Sequence, residues 1–236
     1  MLQRASVLFL MAALAACATV PIEETSQKSN TYFKMGAAHL GEGKIQQAFI
    51  EFQKALELTP NDKEVLNAIG VIYLVHFDEL PKAIDFFERA VRIDPGYSDA
   101  YNNLGYANEK LGRYDTAIAN YQKAVSNLMY TTPEKAYIGM GNSYYRLRKH
   151  DQALSAYREA IKRNPNIPIS YYRIALCHNA LGRYGDASTA MMQGIAIDPE
   201  FKGDKAKAME VLNARRVTAS GLDLQDIKDY LEILKY

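Results

Sequence analysis

Apolar and small residues recur every three or four positions along this chain, in stretches of about a dozen residues punctuated by glycine or proline, and that period predicts α-helices from end to end. The pattern is cleanest in Ser98–Ala124, SDAYNNLGYANEKLGRYDTAIANYQKA. Tyr101, Leu104, Gly105 and Asn108 fall on one helical face, Ala117, Tyr121 and Ala124 on another, and Gly112 marks the turn between them. Small residues let two antiparallel helices approach closely, and the bulky ones fill the space between them and whatever lies next. One such hairpin cannot bury both of its apolar sides alone. It needs neighbours.

The chain supplies them by repetition. The alanine opening the second helix recurs as Ala48, Ala83, Ala117, Ala153 and Ala187, at intervals of 35, 34, 36 and 34 residues. The small residue of the first helix recurs as Gly36, Gly70, Gly105, Gly141 and Ala175, and the bulky residue of the second as Phe52, Phe87, Tyr121, Tyr157 and Met191. A later small position gives Ala55, Ala90, Ala124, Ala160 and Gly194, and Pro60, Pro95, Pro165 and Pro199 close four of the five units, since proline lacks the N–H a continuing helix needs. These residues resemble the tetratricopeptide repeat, a helix-turn-helix of about 34 residues. The resemblance implies an all-α fold, a right-handed superhelical solenoid of antiparallel helix pairs, with five units over residues 29–200.

Departures from the pattern carry expectations of their own. Unit two has an extra residue in its turn, with Pro81 ahead of the second helix. Unit three lacks its closing proline at Met129, so either its second helix runs long or its loop bulges before Pro133. Ala175, Met191 and Gly194 in unit five predict a looser junction there. Beyond Pro199 the repeat fades, leaving Ala208, Met209 and Leu212 on one stripe and Leu224, Ile227, Leu231 and Leu234 on another. With Ser220-Gly221 between the stripes and Asp223 available as an N-cap, residues 201–236 are expected to form a degenerate sixth pair that caps the solenoid's apolar end.

The front of the chain differs. Residues 1–16, MLQRASVLFLMAALAA, carry one charge, Arg4, followed by an uncharged run too short to span a bilayer, the form of an export signal. Leu14-Ala15-Ala16-Cys17 resembles the lipobox of bacterial lipoproteins, which implies cleavage before Cys17 and acylation of that residue. The polar stretch 17–28 is then expected to be a flexible tether. Two or more acyl chains make a stable anchor. Ala18 in place of Asp implies, by the sorting of enterobacterial lipoproteins, the cell envelope at the periplasmic face of the outer membrane.

Composition narrows the partners. In 236 residues, 48% are hydrophobic and 23% charged, the balance of a folded protein. Lys and Arg number 28 against 27 Asp and Glu, which provides no field for nucleic acid. The four histidines, His39, His76, His150 and His178, fall in different units with no metal-ligand spacing, and no phosphate loop or nucleophile elbow occurs, so neither a cofactor nor a metal nor catalysis is expected. With Cys17 acylated, Cys177 has no disulfide partner, and its apolar helical surroundings predict a buried, inert thiol.

What the repeat offers instead is a surface. Groove positions carried over from the repeat family fall on Phe33, Ala37, Asn67, Val71, Leu74, Asn102, Tyr106, Glu109, Ile138, Asn142, Tyr145, Tyr172, Leu176 and Asn179, a set of amide, aromatic and aliphatic groups suited to a peptide. A lipidated, exported repeat protein of this size resembles the pilotin lipoproteins of type IV pilus systems. That resemblance implies a scaffold for outer-membrane secretin subunits. A second expectation is an envelope adaptor that docks cell-wall hydrolases or secretion components. Tyr-rich helices would equally serve a homodimer.

Overall fold

In a computed structural model, residues 22–236 are described; the expected export signal at residues 1–16 and Cys17 lie outside the described residues. Twelve helices and no strand occur among the described residues. The first five pairs are α1 (Ile22–Gly41) with α2 (Ile45–Leu58), α3 (Lys63–Val75) with α4 (Leu80–Ile93), α5 (Ser98–Lys110) with α6 (Tyr114–Ser126), α7 (Pro133–Arg146) with α8 (His150–Arg163), and α9 (Pro168–Ala180) with α10 (Tyr184–Ile197). A terminal pair follows, α11 (Lys205–Thr218) and α12 (Gly221–Ile233). Each first helix packs along its own second helix, and each second helix packs on the first helix of the next unit. The result is a solenoid.

One local fit repeats up the array. An added Cβ at Gly36 would lie 2.6 Å from the Phe52 ring, at Gly70 2.6 Å from Phe87, at Gly105 2.6 Å from Tyr121 and at Gly141 2.5 Å from Tyr157. Only glycine lets the aromatic ring of the second helix lie flat on the backbone of the first. All four rings are buried. In unit five the fit is exchanged rather than loosened, contrary to the expectation from its sequence: Tyr172 on the first helix lies against Gly194 on the second, where a Cβ would meet the ring at 2.5 Å. Ala175 and Met191, the pair in the usual places, are buried as well.

Turns follow the same economy. The residue before the last turn position adopts a left-handed φ in every unit, supplied by Gly43, Gly112 and Gly182 but by Asp78 and Arg148 in units two and four. Between units, Asp94, Asn164 and Asp198 accept from the backbone N–H two residues on, each just ahead of a closing proline. Asn127 does the same for Met129 at 3.0 Å in the unit that lacks the proline, so α6 ends on time and the loop bulges. That loop carries Leu128 at 95% exposure and Met129 at 84%, while Tyr130 turns inward.

Both ends differ from expectation. Residues 22–28 are helical, part of the 20-residue α1, with Glu23 and Glu24 in the first turn where the helix dipole favours acids. Ser29 fastens this helix by donating to the Ala55 carbonyl at 3.0 Å. Asp223 is not the cap of α12: the helix starts at Gly221, after Ser220, and Asp223 lies in its first turn. The terminal pair meets the fifth unit mainly through α12, which packs across both α9 and α10, whereas α11 touches α10 alone and only lightly. Tyr230, Leu231, Ile233 and Leu234 are buried in one cluster with Ile174, Leu176 and Met191.

Candidate functional site

The first helices α1, α3, α5, α7 and α9 line one side of the array, and polar groups join them across unit boundaries. Asn103 donates its amide to the Asn67 carbonyl oxygen at 2.9 Å, linking α5 to α3. Two buried tyrosines reach this side from the second helices. Tyr121 donates to Glu109 at 2.8 Å, and Tyr157 donates to Asn142 at 2.8 Å. The space for Tyr121 exists because Gly139 on α7 has no side chain; a Cβ there would lie 2.2 Å from the ring.

The centre of this surface is charged. Glu109 sits deep enough that burial lifts its carboxyl above the ordinary range, while hydrogen bonds from Tyr121 and Asn142 and the charges of Arg173 and Arg146 pull in the other direction. Arg146 of α7 and Arg173 of α9 both bond one carboxylate oxygen of Asp226 on α12, the first at 3.2 Å. Asp226 is 6% exposed, and each arginine keeps about a fifth of its side-chain surface in water. Two guanidiniums and two carboxylates therefore balance in one half-dry cluster, which a peptide backbone can approach without meeting a net charge. None of the fourteen expected groove positions is one of these arginines or Asp226. A legible signal existed for the last of them: Asp226 stands in register with Tyr230 and Ile233, an acid on an apolar stripe.

The expected groove residues separate into three groups. Glu109, Asn142 and Tyr145 come together around the arginines, Tyr145 with the Arg146 guanidinium over its ring at 5.8 Å and its phenol pushed up to about 12 by burial. Asn67, Val71, Asn102, Ile138 and Asn179 are half-buried along the same helices, and Tyr106 is exposed with the Lys110 ammonium 5.6 Å from its ring centre. Tyr172 and Leu176 lie toward the terminal pair. Tyr172 donates to Asp198 at 2.8 Å and packs edgewise on Tyr230, and Leu176, 1% exposed, offers no surface. Of the others, Leu74 is buried and Phe33 half-buried against the Phe52 ring, while Ala37 is exposed.

The thiol and two of the imidazoles are shifted by burial. Cys177 is fully buried, its thiol pushed up to about 12 by desolvation, and His150 and His178 are held below the usual imidazole range by burial. Among the described residues no three His, Cys, Asp or Glu side chains are grouped to hold a metal ion, and no helix is long and apolar enough to cross a membrane.

Stacked helical hairpins with a polar, partly aromatic inner side define a repeat scaffold for binding other proteins. The chain belongs to the tetratricopeptide repeat family: one family model of that description matches residues 33–98 and 138–199, and a second matches 86–119. Among individual relatives, the type IV pilus assembly protein PilF of Pseudomonas aeruginosa is 24% identical over 174 residues, 70% of this chain and 68% of that protein. The BBSome complex member BBS4 of Bos taurus is also 24% identical over 174 residues, but the chain spans only 32% of its length. Among solved structures, that of Pseudomonas aeruginosa PilF superposes with a TM-score of 0.68 at 20% identity over 87% of this chain and 98% of that one. PilW, a type IV pilus biogenesis factor, gives 0.67 at 19% over 86% and 90%, and MamA gives 0.62 at 25% over 77% and 94%.

Proposed function

We propose that this chain is an outer-membrane lipoprotein, anchored through acylated Cys17, that acts as a pilotin: it holds secretin subunits of a type IV pilus system while they insert and assemble. The observation that carries the reading is the joint one of a lipobox at residues 14–17 and a similarity to PilF that runs over most of both chains. The anchor retains the solenoid at the bilayer, residues 18–21 separate Cys17 from the start of α1, and the inner side around Glu109, Asn142 and Tyr145 provides the protein-binding surface. Binding, and not bond-making, is the work.

The test is a deletion strain complemented with the wild-type gene or with Cys17→Ser. Heat-resistant secretin multimers in the outer-membrane fraction should disappear on deletion, return with the wild type and fail to return in full with the unanchored variant. Normal multimers in the deletion strain would remove the pilotin role. Recovery of cell-wall hydrolases without secretin in a membrane pull-down would instead favour an envelope adaptor.

A further inference from the structure

The loops that join one unit to the next lie side by side on one edge of the solenoid, and contacts run along that edge from α1 to the third unit. Ser29 of α1 bonds Thr59 at the end of α2, Lys63 at the start of α3 pairs with Asp94 at 2.5 Å, and Asn127 donates its amide to the Gly96 carbonyl at 3.1 Å. Three of these loops carry a proline and then asparagine or glycine at the tip: Pro60-Asn61, Pro95-Gly96 and Pro165-Asn166. The loop after α6 carries Leu128-Met129 there instead, 95% and 84% exposed. Single exposed aliphatic residues are ordinary, but two adjacent ones held out by a braced loop are not. The Asn127 side chain accepts from the Met129 N–H, the Asn127 carbonyl accepts from the Tyr130 N–H at 3.1 Å, and the Tyr130 ring is buried. From Ser126 to Pro133 no residue is charged, and the Ser126 hydroxyl and the Asn127 amide are turned onto backbone carbonyls. The tip thus offers apolar surface with few directional polar groups, which suits a medium that has no hydrogen-bonding partners to give.

We propose that Leu128 and Met129 dip into the lipid surface that holds acylated Cys17, and that this second contact seats the inter-unit edge of the solenoid on the bilayer. The inference rests on the anchor reading above and adds how the chain is oriented. What commits it to lipid is where the chain enters: α1 starts on this same edge, and its first seven residues, Ile22–Lys28, run past the level of Thr59 by about 10 Å at about 1.5 Å per residue. The five peptide steps from Cys17 to Ile22 reach at most about 18 Å. That reach exceeds the overshoot, so the bilayer that holds Cys17 can also touch the loop tips. The N–H groups of Met129 and Tyr130 are already bonded inside the loop, and entering an apolar layer leaves neither unmatched. Two side chains would not hold a protein to a membrane by themselves, but a second signal added to acyl chains fixes what the first leaves free to turn. Seated in this way, the side lined by the first helices stands upright from the membrane and stays open to a partner.

The experiment uses the full acylated chain, purified from membranes and reconstituted in vesicles of phosphatidylethanolamine and phosphatidylglycerol. Leu128→Cys and, separately, Met129→Cys are labelled with the environment-sensitive fluorophore NBD; Cys177 is fully buried with its thiol pushed up to about 12, so it does not compete for label. Asp115→Cys, at the start of α6 on the opposite edge and with a side chain 80% exposed, is the control. Label at 128 and at 129 should move to shorter wavelength on vesicles and lose most of its emission to doxyl-labelled lipid, while label at 115 should do neither. Flotation of the wild-type chain with the vesicles reads the anchor by itself. A chain that floats while label at 128 and 129 stays in water overturns the loop contact and leaves the anchor standing. A shift to shorter wavelength that doxyl lipid does not quench puts the tip against protein, a second copy or a partner, and overturns the loop contact as well. A chain that does not float removes the anchor and the loop contact together.

Discussion

Replacing Asp226 with Asn tests whether the terminal helix is held by charge. The carboxylate bonds Arg173, 53 residues earlier, and Arg146, 80 residues earlier, so it fixes where α12 sits relative to two separate units. At about 3–4 Å and an effective dielectric near 20, each pair attracts by roughly 4–5 kcal/mol, most of it offset by desolvation. Removing one partner is a different quantity, because it leaves two guanidiniums facing each other in a half-dry site. Breaking a buried pair costs about 3–5 kcal/mol. The arginines keep 19% and 20% of their side-chain surface in water, which lowers the expectation to about 2–3 kcal/mol. Urea unfolding at pH 7 measures the loss, and amide hydrogen exchange locates it: α12 should lose protection while α3 to α6 keep theirs. Arg173→Met combined with Asp226→Asn should cost less than the sum of the two changes. A loss below about 0.5 kcal/mol with α12 protection unchanged would show that the apolar contacts of Tyr230, Leu231 and Ile233 hold the helix by themselves.

Three further outcomes follow from individual contacts. Gly141→Ala places a Cβ 2.5 Å from the fully buried Tyr157 ring, and overpacking of this kind should cost about 1–3 kcal/mol in chemical denaturation; the same change at Gly185, which has open space around it, should cost nothing measurable or stabilise slightly. Arg148 holds a left-handed φ of 58° where units three and five use glycine, so Arg148→Gly should raise stability by about 0.5–1 kcal/mol as the Cβ strain is relieved, and an unchanged or lower urea midpoint would contradict it. Burial raises the Glu109 carboxyl above its ordinary value, so the folded chain holds a proton that the unfolded chain gives up. That contribution is complete below the ordinary pKa of about 4.3 and is lost as pH rises through the folded value, so Glu109→Gln should be the more stable form at pH 7 and should flatten the decline above pH 4. Parallel pH profiles for the two proteins would count against it.

The array was legible in the sequence because its stabilising contact is short-range and copied. Gly105 against Tyr121, or Gly141 against Tyr157, needs only two residues about sixteen apart, and four occurrences at a near-constant interval make the pair visible. Unit five was misread for the same reason. Met191, Ala175 and Gly194 look like losses when each is compared with its usual residue, and Tyr172 appears only as a groove candidate, yet Tyr172 and Gly194 form the same ring-on-glycine fit with the helices exchanged. A position-by-position comparison cannot detect a compensation that moves to another position. The start of α1 is not legible because Ile22–Lys28 has no apolar period of its own; the contacts that fasten it, Ser29 to Ala55 and Thr59, lie just beyond that stretch and at the end of α2.

The candidate site was half legible, and the division is physical. Glu109, Asn142 and Tyr145 occupy repeat positions, so the register of one unit places them in all. Arg146, Arg173 and Asp226 do not form a repeated set, and their association depends on the angle at which a non-repeat helix crosses α9 and α10. Burial of Tyr230 and Ile233 fixes which face of α12 turns inward, and the bonds to Asp226 from both arginines further constrain the angle at which it crosses. Setting a unique arrangement is the role best attested for buried charges, and the Asp226→Asn experiment tests it for this cluster. The crossing has a consequence for shape: by drawing α12 across α9, it leaves α11 standing off from the fifth unit, and a cleft lined by Ile169, Tyr172 and Tyr230 exists because of it. The same Asp226→Asn change that loosens α12 should therefore also deform the cleft, and hydrogen-exchange protection should fall at Tyr230 and Ile227 together with the rest of α12.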